Sequence, residues 1–216
     1  AFRRHDHAAA ADFAAKSERA GEDYVRFNPS DLQAWTYLIR GKSSVADVLF
    51  EEGRITESLA ALRAAAALAA DTRRPASLLP QLDFTWARIA GLEARLGQRA
   101  ASEASVHEAM RAHDESLAMM TEDKRREVMA AAPEGWWARR AWLLGDNQAA
   151  FDRAVAAVER VRNVDVTREP PNTRAIHANN MRFMLTTATL AALRLGRWSD
   201  AESVAREKLA LPPDAF

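Results

Sequence analysis

Apolar side chains recur along this chain at intervals of three and four residues, the period of an amphipathic helix. No useful stretch alternates with the period of two that a strand requires. Leu32, Trp35, Leu38, Ile39, Val45 and Leu49 trace one such stripe up to Gly53. Pro29, followed by Ser30 and Gln33 at capping-box spacing, predicts where that helix starts. Pro80, or Pro75 before it, suits the first turn of the next helix. Residues 122–144 read as one long element with a break or kink at Pro133 and Gly135. Asn172 or Thr173 predicts the cap of a helix running to Leu195. Near the start, residues 6–27 place Phe13, Ala20, Tyr24 and Phe27 on one stripe. The predicted irregular connections are 71–79 and 163–172, the latter holding Pro170-Pro171.

A repeat underlies these helices. Gly53, Gly97, Gly145 and Gly196 each end an apolar-periodic segment, and each is followed by a second helical stretch. Five residues after each glycine stand Ser58, Ser102, Ala150 and Ala201, and twelve after stand Ala65, Ala109, Ala157 and Lys208. Seven before stand Ala46, Ala90, Ala138 and Thr189. All but Lys208 are Ala, Ser or Thr. A glycine can take the left-handed conformation that closes a helix and reverses the chain. Small residues on either side of it then let two antiparallel helices approach closely. One such hairpin cannot bury its apolar face alone, so neighbours must stack.

These residues resemble the tetratricopeptide repeat family. The last copy, Leu195-Gly196-Arg197-Trp198-Ser199-Asp200-Ala201-Glu202 with Leu209-Ala210-Leu211-Pro212-Pro213, is the nearest to it. Glu52-Gly53-Arg54-Ile55-Thr56-Glu57-Ser58-Leu59 follows, and Trp86 stands eleven residues before Gly97, where the family favours Trp. The glycines are 44, 48 and 51 residues apart, against a usual period of about 34, so longer helices and loops are expected. The resemblance implies an all-α fold, a right-handed superhelical stack of antiparallel helix hairpins. Residues 1–29 would form an N-terminal helix, a truncated repeat or cap. Residues 30–216 would form one continuous repeat domain, with hairpins at about 30–74, 75–120, 121–163 and 172–213.

Composition narrows the function. About a fifth of the 216 residues are alanine, with 8 Gly and 8 Pro, which favours helix. Thirty basic residues balance thirty acidic ones, so a strongly basic nucleic-acid binder is not expected. With no cysteine there is no disulfide framework, thiolate metal site or cysteine nucleophile. Such a chain suits a bacterial cytoplasm or periplasm equally, and its arginine- and alanine-rich composition suggests a GC-rich bacterial genome. No uncharged apolar run reaches the ~18 residues that span a bilayer, so no membrane insertion is expected. The chain starts at Ala1 and ends at Phe216 just after Pro212-Pro213, and is expected to be part of something longer.

Motifs for chemistry are sparse. There is no phosphate loop, nucleophile elbow or paired-histidine zinc motif. His5-Asp6-His7 could ligate a metal, but neighbours two apart on a helix do not share a face, and a solvated end is expected. His107 and His113 are six apart and make no helical chelate, and His177 stands alone. No enzyme activity, metal or cofactor is expected.

In repeats of the resembled family the first helix of each hairpin lines the concave face. The matching candidate partner-binding residues here are Asp47, Arg88, Arg95, Trp136, Arg139, Trp142, Phe183, Thr187, Arg194 and Asn179. By the same register Trp137, Trp86 and Trp198 should pack inside, with Trp136 and Trp142 facing the groove. Guanidinium forks pair bidentately with carboxylates, so a protein or peptide partner with an acidic segment is expected. The competing arrangement has these arginines bridging to acids on adjacent helices. The expected function is a protein–protein interaction scaffold, the repeat portion of a larger bacterial regulatory or assembly protein. The alternative is a ligand- or peptide-sensing domain controlling an attached output domain.

Overall fold

The computed structural model describes residues 7–75, 77–78 and 82–212, and these form helices and turns without a strand. The helices are α1 (His7–Phe27), α2 (Leu32–Glu51), α3 (Ile55–Ala66), α4 (Asp83–Arg95) and α5 (Arg99–Met119). They continue with α6 (Asp123–Met129), α7 (Ala132–Leu143), α8 (Asn147–Arg162), α9 (Pro171–Arg194) and α10 (Trp198–Ala210). A 3₁₀ turn (Ala67–Ala70) extends α3. The all-α expectation therefore holds. His5, Asp6, Pro80 and Pro213 lie outside the described residues, so the Pro80 helix start and two members of the His5-Asp6-His7 cluster, expected as a solvated end, lie there too.

The chain divides into two compact units. One runs to Glu93 and includes Ala100–Glu115; the other holds Ala94–Arg99 and the chain from Ser116 onward. In the first, α1 packs on α2 and α2 on α3. Its core gathers Trp35, Leu38, Ile39, Val25, Leu78 and Leu82, and a second cluster joins Ala46, Leu59, Leu62, Ala66, Ile89 and Leu92. Trp86 packs against both clusters, as the register predicted. In the second unit α7, α8, α9 and α10 pack in chain order, and α7 and α6 also reach α9. Alanines 138, 150, 154, 188, 191, 192 and 201 with Phe151 fill its centre.

The four repeat glycines take positive φ, from 71° to 86°. Arg54 N–H donates to the Leu49 carbonyl at 2.9 Å, Asp146 to Ala141 at 2.9 Å and Arg197 to Ala192 at 3.0 Å. This is the six-to-one bond of a Schellman turn, which uses helix carbonyls that would otherwise lack a donor. A Cβ at Gly196 would meet nothing within 4 Å, so backbone conformation rather than space selects glycine there. Gly196→Val is expected to cost about 1–2 kcal/mol, the left-handed penalty of a Cβ-bearing residue. Thermal unfolding checks this, and a melting temperature equal to the parent would refute the turn reading.

The small positions meet as the spacing predicts. Ser58 Oγ donates to the Ala46 carbonyl at 2.7 Å, and Ser102 Oγ to the Ala90 carbonyl at 2.8 Å. The position five after the glycine thus touches the position seven before it. Ala65, Ala109, Ala138, Ala150, Ala157 and Ala201 are buried. In the last hairpin the deep contact moves one residue earlier, to Ala188, and Thr189 is half-buried.

Several local expectations need correction. The cap of α2 is Asp31, not Ser30: its Oδ1 accepts the Gln33 N–H at 2.9 Å, while Oδ2 takes the Tyr24 hydroxyl at 3.0 Å. Of the break or kink expected in residues 122–144 the structure has the break, at 130–131 rather than at Pro133 itself, because Pro133 occupies the first turn of α7 and needs no backbone donor there. Pro171 starts α9 by the same logic, with Asn172 and Thr173 already inside its first turn. On α1 the aromatic stripe faces out, with Phe13 71 % and Phe27 72 % exposed. The buried face is instead Ala10, Ala14, Gly21 and Val25, because only small residues permit the close approach to α2. Trp198, 69 % exposed, is not internal either. It is the first residue of α10, where side chains lean back over the N-terminal turn, and α10 buries only Ala201.

Candidate functional site

The candidate groove residues fall into both units. Asp47 and Arg88 belong to the first and bond directly to each other. Partial burial lifts the Asp47 carboxyl above the ordinary carboxylate range, and the charge and hydrogen bond of Arg88 only partly offset this. Here the bridging arrangement is the one realised, since this arginine already has its acid.

Two polar clusters built around buried acids in the same unit escaped the sequence reading. Glu93, 2 % exposed, accepts from Arg63 Nη2 at 2.7 Å and from Ser105 Oγ at 2.7 Å. His113 Nδ1 lies 3.0 Å from Asp83 Oδ2, and both side chains are buried. Burying a carboxylate is tolerable only when donors replace its water. A signal was present: Glu93 stands four residues after Ile89 and seven after Trp86, on the apolar stripe of α4. An acid in that register implies a partner.

The remaining candidates lie in the second unit. Trp136 is buried, together with Ala132, Gly135 and Ala138, rather than facing a groove. Its neighbour Trp137 is half-buried, with the Arg140 and Arg153 guanidiniums 5.2 and 5.9 Å from its ring. The order of burial is therefore the opposite of that expected, with Trp136 the deeper of the two rings. Thr187 is also interior, its hydroxyl donating to the Phe183 carbonyl at 3.2 Å. Asn179 Oδ1 accepts from Arg182 at 3.0 Å. Phe183 is exposed over part of its ring, and a Cβ at Gly135 would come within 3.1 Å of its Cε1.

Arg139, Trp142 and Arg194 do come together. Arg139 and Trp142 are three apart on α7 and share a face. The Arg139 guanidinium lies 4.3 Å from the Trp142 ring centroid, and Arg194, from the end of α9, lies 4.4 Å from it. Arg194 Nη1 also donates to the Trp142 carbonyl at 3.2 Å, at the last turn of α7. Among the described residues no carboxylate lies within ion-pair distance of Arg139 or Arg194. Burial first, and then the charges of Arg95 and Arg194, hold Arg139 below the ordinary arginine range. A cation–π contact contributes about 0.5–2 kcal/mol and partly offsets this crowding of like charge. What the arrangement can do chemically is bind an anion. No group of three or more His, Asp or Glu side chains among the described residues is arranged to hold a metal. No helix among them is long and apolar enough to cross a membrane.

Compared with protein-family models, with curated proteins and with solved structures, the chain matches none.

Proposed function

We propose that this chain is a tetratricopeptide-like helical-repeat scaffold. Its hairpins stack as a right-handed superhelix, and a partner protein lays an acidic segment into the concave face. The observation that carries this reading is the recurring hairpin: a positive-φ glycine flanked by buried small residues at fixed offsets. The touching of α7 and α9, first helices of successive hairpins, also supports it. A stack of this kind presents a preorganised surface, and a bound segment then loses less entropy than on a flexible loop. Arg139, Trp142 and Arg194, with Arg95 and the exposed part of Phe183, are the docking residues in the second unit.

The test is selection of peptides from a randomised display library against the intact chain. Binders are expected to be enriched in Asp and Glu. The Arg139→Glu, Arg194→Glu double variant is expected to bind them about a hundredfold more weakly, roughly 2.8 kcal/mol. Its thermal unfolding should change little, because relief of like-charge crowding offsets the lost contacts to the Trp142 ring and carbonyl. Undiminished binding by the double variant would sink the docking assignment.

A further inference from the structure

We propose that Arg139 and Arg194 form a binding site for a phosphoryl group, the two guanidiniums sitting over Trp142. This deepens the partner-binding reading by naming the chemistry of one subsite.

A guanidinium held over a ring keeps its N–H edge free for a bidentate acceptor. Here two are held this way, 4.3 and 4.4 Å from the same ring centroid. The Trp142 carbonyl accounts for the place of Arg194, at the negative end of α7. It does not account for Arg139, which is substantially buried, sits among like charges and has no carboxylate within ion-pair distance among the described residues. Replacing Arg139 by an apolar residue would spare the fold that cost, and a bound anion would reverse it. The indole N–H of Trp142 is likewise buried without an acceptor among the described residues.

Charge and shape favour phosphoryl over a single carboxylate. Two guanidiniums facing one carboxylate leave one charge uncompensated, whereas a phosphoryl group carries about −1.5 to −2 near pH 7. Arg139 and Arg194 reach the ring from different helices, α7 and α9. Three diverging terminal oxygens can serve donors from separate directions, while a carboxylate offers two oxygens in one plane.

The experiment titrates the intact chain with four probes at constant ionic strength. They are inorganic phosphate, a phosphoserine peptide, the same peptide with glutamate in its place, and acetate. Binding is followed by calorimetry and by tryptophan fluorescence, with Trp142→Phe identifying the reporting ring. Phosphate or the phosphopeptide is expected to bind at least about tenfold tighter than the glutamate peptide. Affinity should rise severalfold from pH 6 to 8 as the second phosphate proton leaves, near pH 6 for a phosphoserine. Arg139→Gln and Arg194→Gln should each lose about tenfold or more, with circular dichroism confirming the fold. Arg139→Lys, which keeps the charge and loses the fork, should fall between. Preference for the phosphopeptide points to a modified partner and equal binding to the free ion; either supports the site. Glutamate binding as tightly as phosphoserine overturns the phosphoryl assignment and leaves the scaffold reading standing. No saturable binding by either phosphate probe, or binding unchanged in Arg139→Gln, overturns the site itself.

Discussion

Replacing Trp35 by alanine is expected to destabilise the first unit by about 3–5 kcal/mol, the usual range for emptying a fully buried large aromatic. The ring is 0 % exposed and touches the cluster of Val25, Leu38, Ile39, Leu78 and Leu82. It therefore joins α1 and α2 to the chain just before α4. Its indole N–H also donates to the Pro29 carbonyl at 2.8 Å, which fixes the chain entering α2. Alanine would leave a cavity that the surrounding leucines can only partly fill, and that carbonyl would lose its donor. Trp35→Phe separates the two contributions. It keeps most of the apolar volume and gives up the hydrogen bond, so its loss should be nearer 1 kcal/mol. Urea unfolding followed by far-UV circular dichroism measures both. A loss under about 1 kcal/mol for alanine would show that the cluster does not depend on this ring.

Trp35 was readable in advance because its position follows from period alone, and the same holds for the four turns. A glycine with positive φ and a small residue at a fixed offset are properties of the backbone and of one contact, so they leave a mark at each copy. The aromatic side chains were harder. Trp136 and Trp137 differ by ~100° around a helix, and the rotation of α7 does not follow from period alone. Phe13 and Phe27 made a convincing stripe on α1, yet a stripe of Ala10, Ala14, Gly21 and Val25 won. Hydrophobicity ranked the aromatics first, whereas close packing ranked backbone approach first.

The site shows the same division. That Arg139, Trp142 and Arg194 could share a surface followed from repeat register. Which arginines were already satisfied did not follow, because ion pairing depends on acids more than forty positions away, as Asp47 is from Arg88. Ser105 and Glu93, twelve apart like Ser58 and Ala46, show that the hairpin register could have paired them. An Arg that finds an acid across a hairpin holds the fold together, and one that finds none is the better candidate for a ligand.

Gly41→Leu is expected to undock α1 from α2. A Cβ at Gly41 would stand 2.7 Å from Glu18 Cα and 2.8 Å from Glu18 N. At Gly21 it would stand 2.7 Å from Leu38 Cα. These neighbours are backbone atoms of the facing helix, so no rotamer change can make room, and each helix contributes a glycine to the other's closest approach. Overpacking costs about 1–3 kcal/mol where side chains can yield; here the helices themselves must separate, and the expected loss is at or above the top of that range. Separation would also weaken the pair between Lys42 and Glu18, 2.7 Å apart and half-buried in the same crossing. The consequence is local enough to be distinguished from global unfolding. Trypsin should cleave Gly41→Leu at Lys16, Arg19 and Arg26 much faster than the parent, while sites in α8 to α10 stay protected. Equal cleavage at the α1 sites in variant and parent would mean that this crossing tolerates a side chain, and that the aromatic face rather than the glycine face governs how α1 docks.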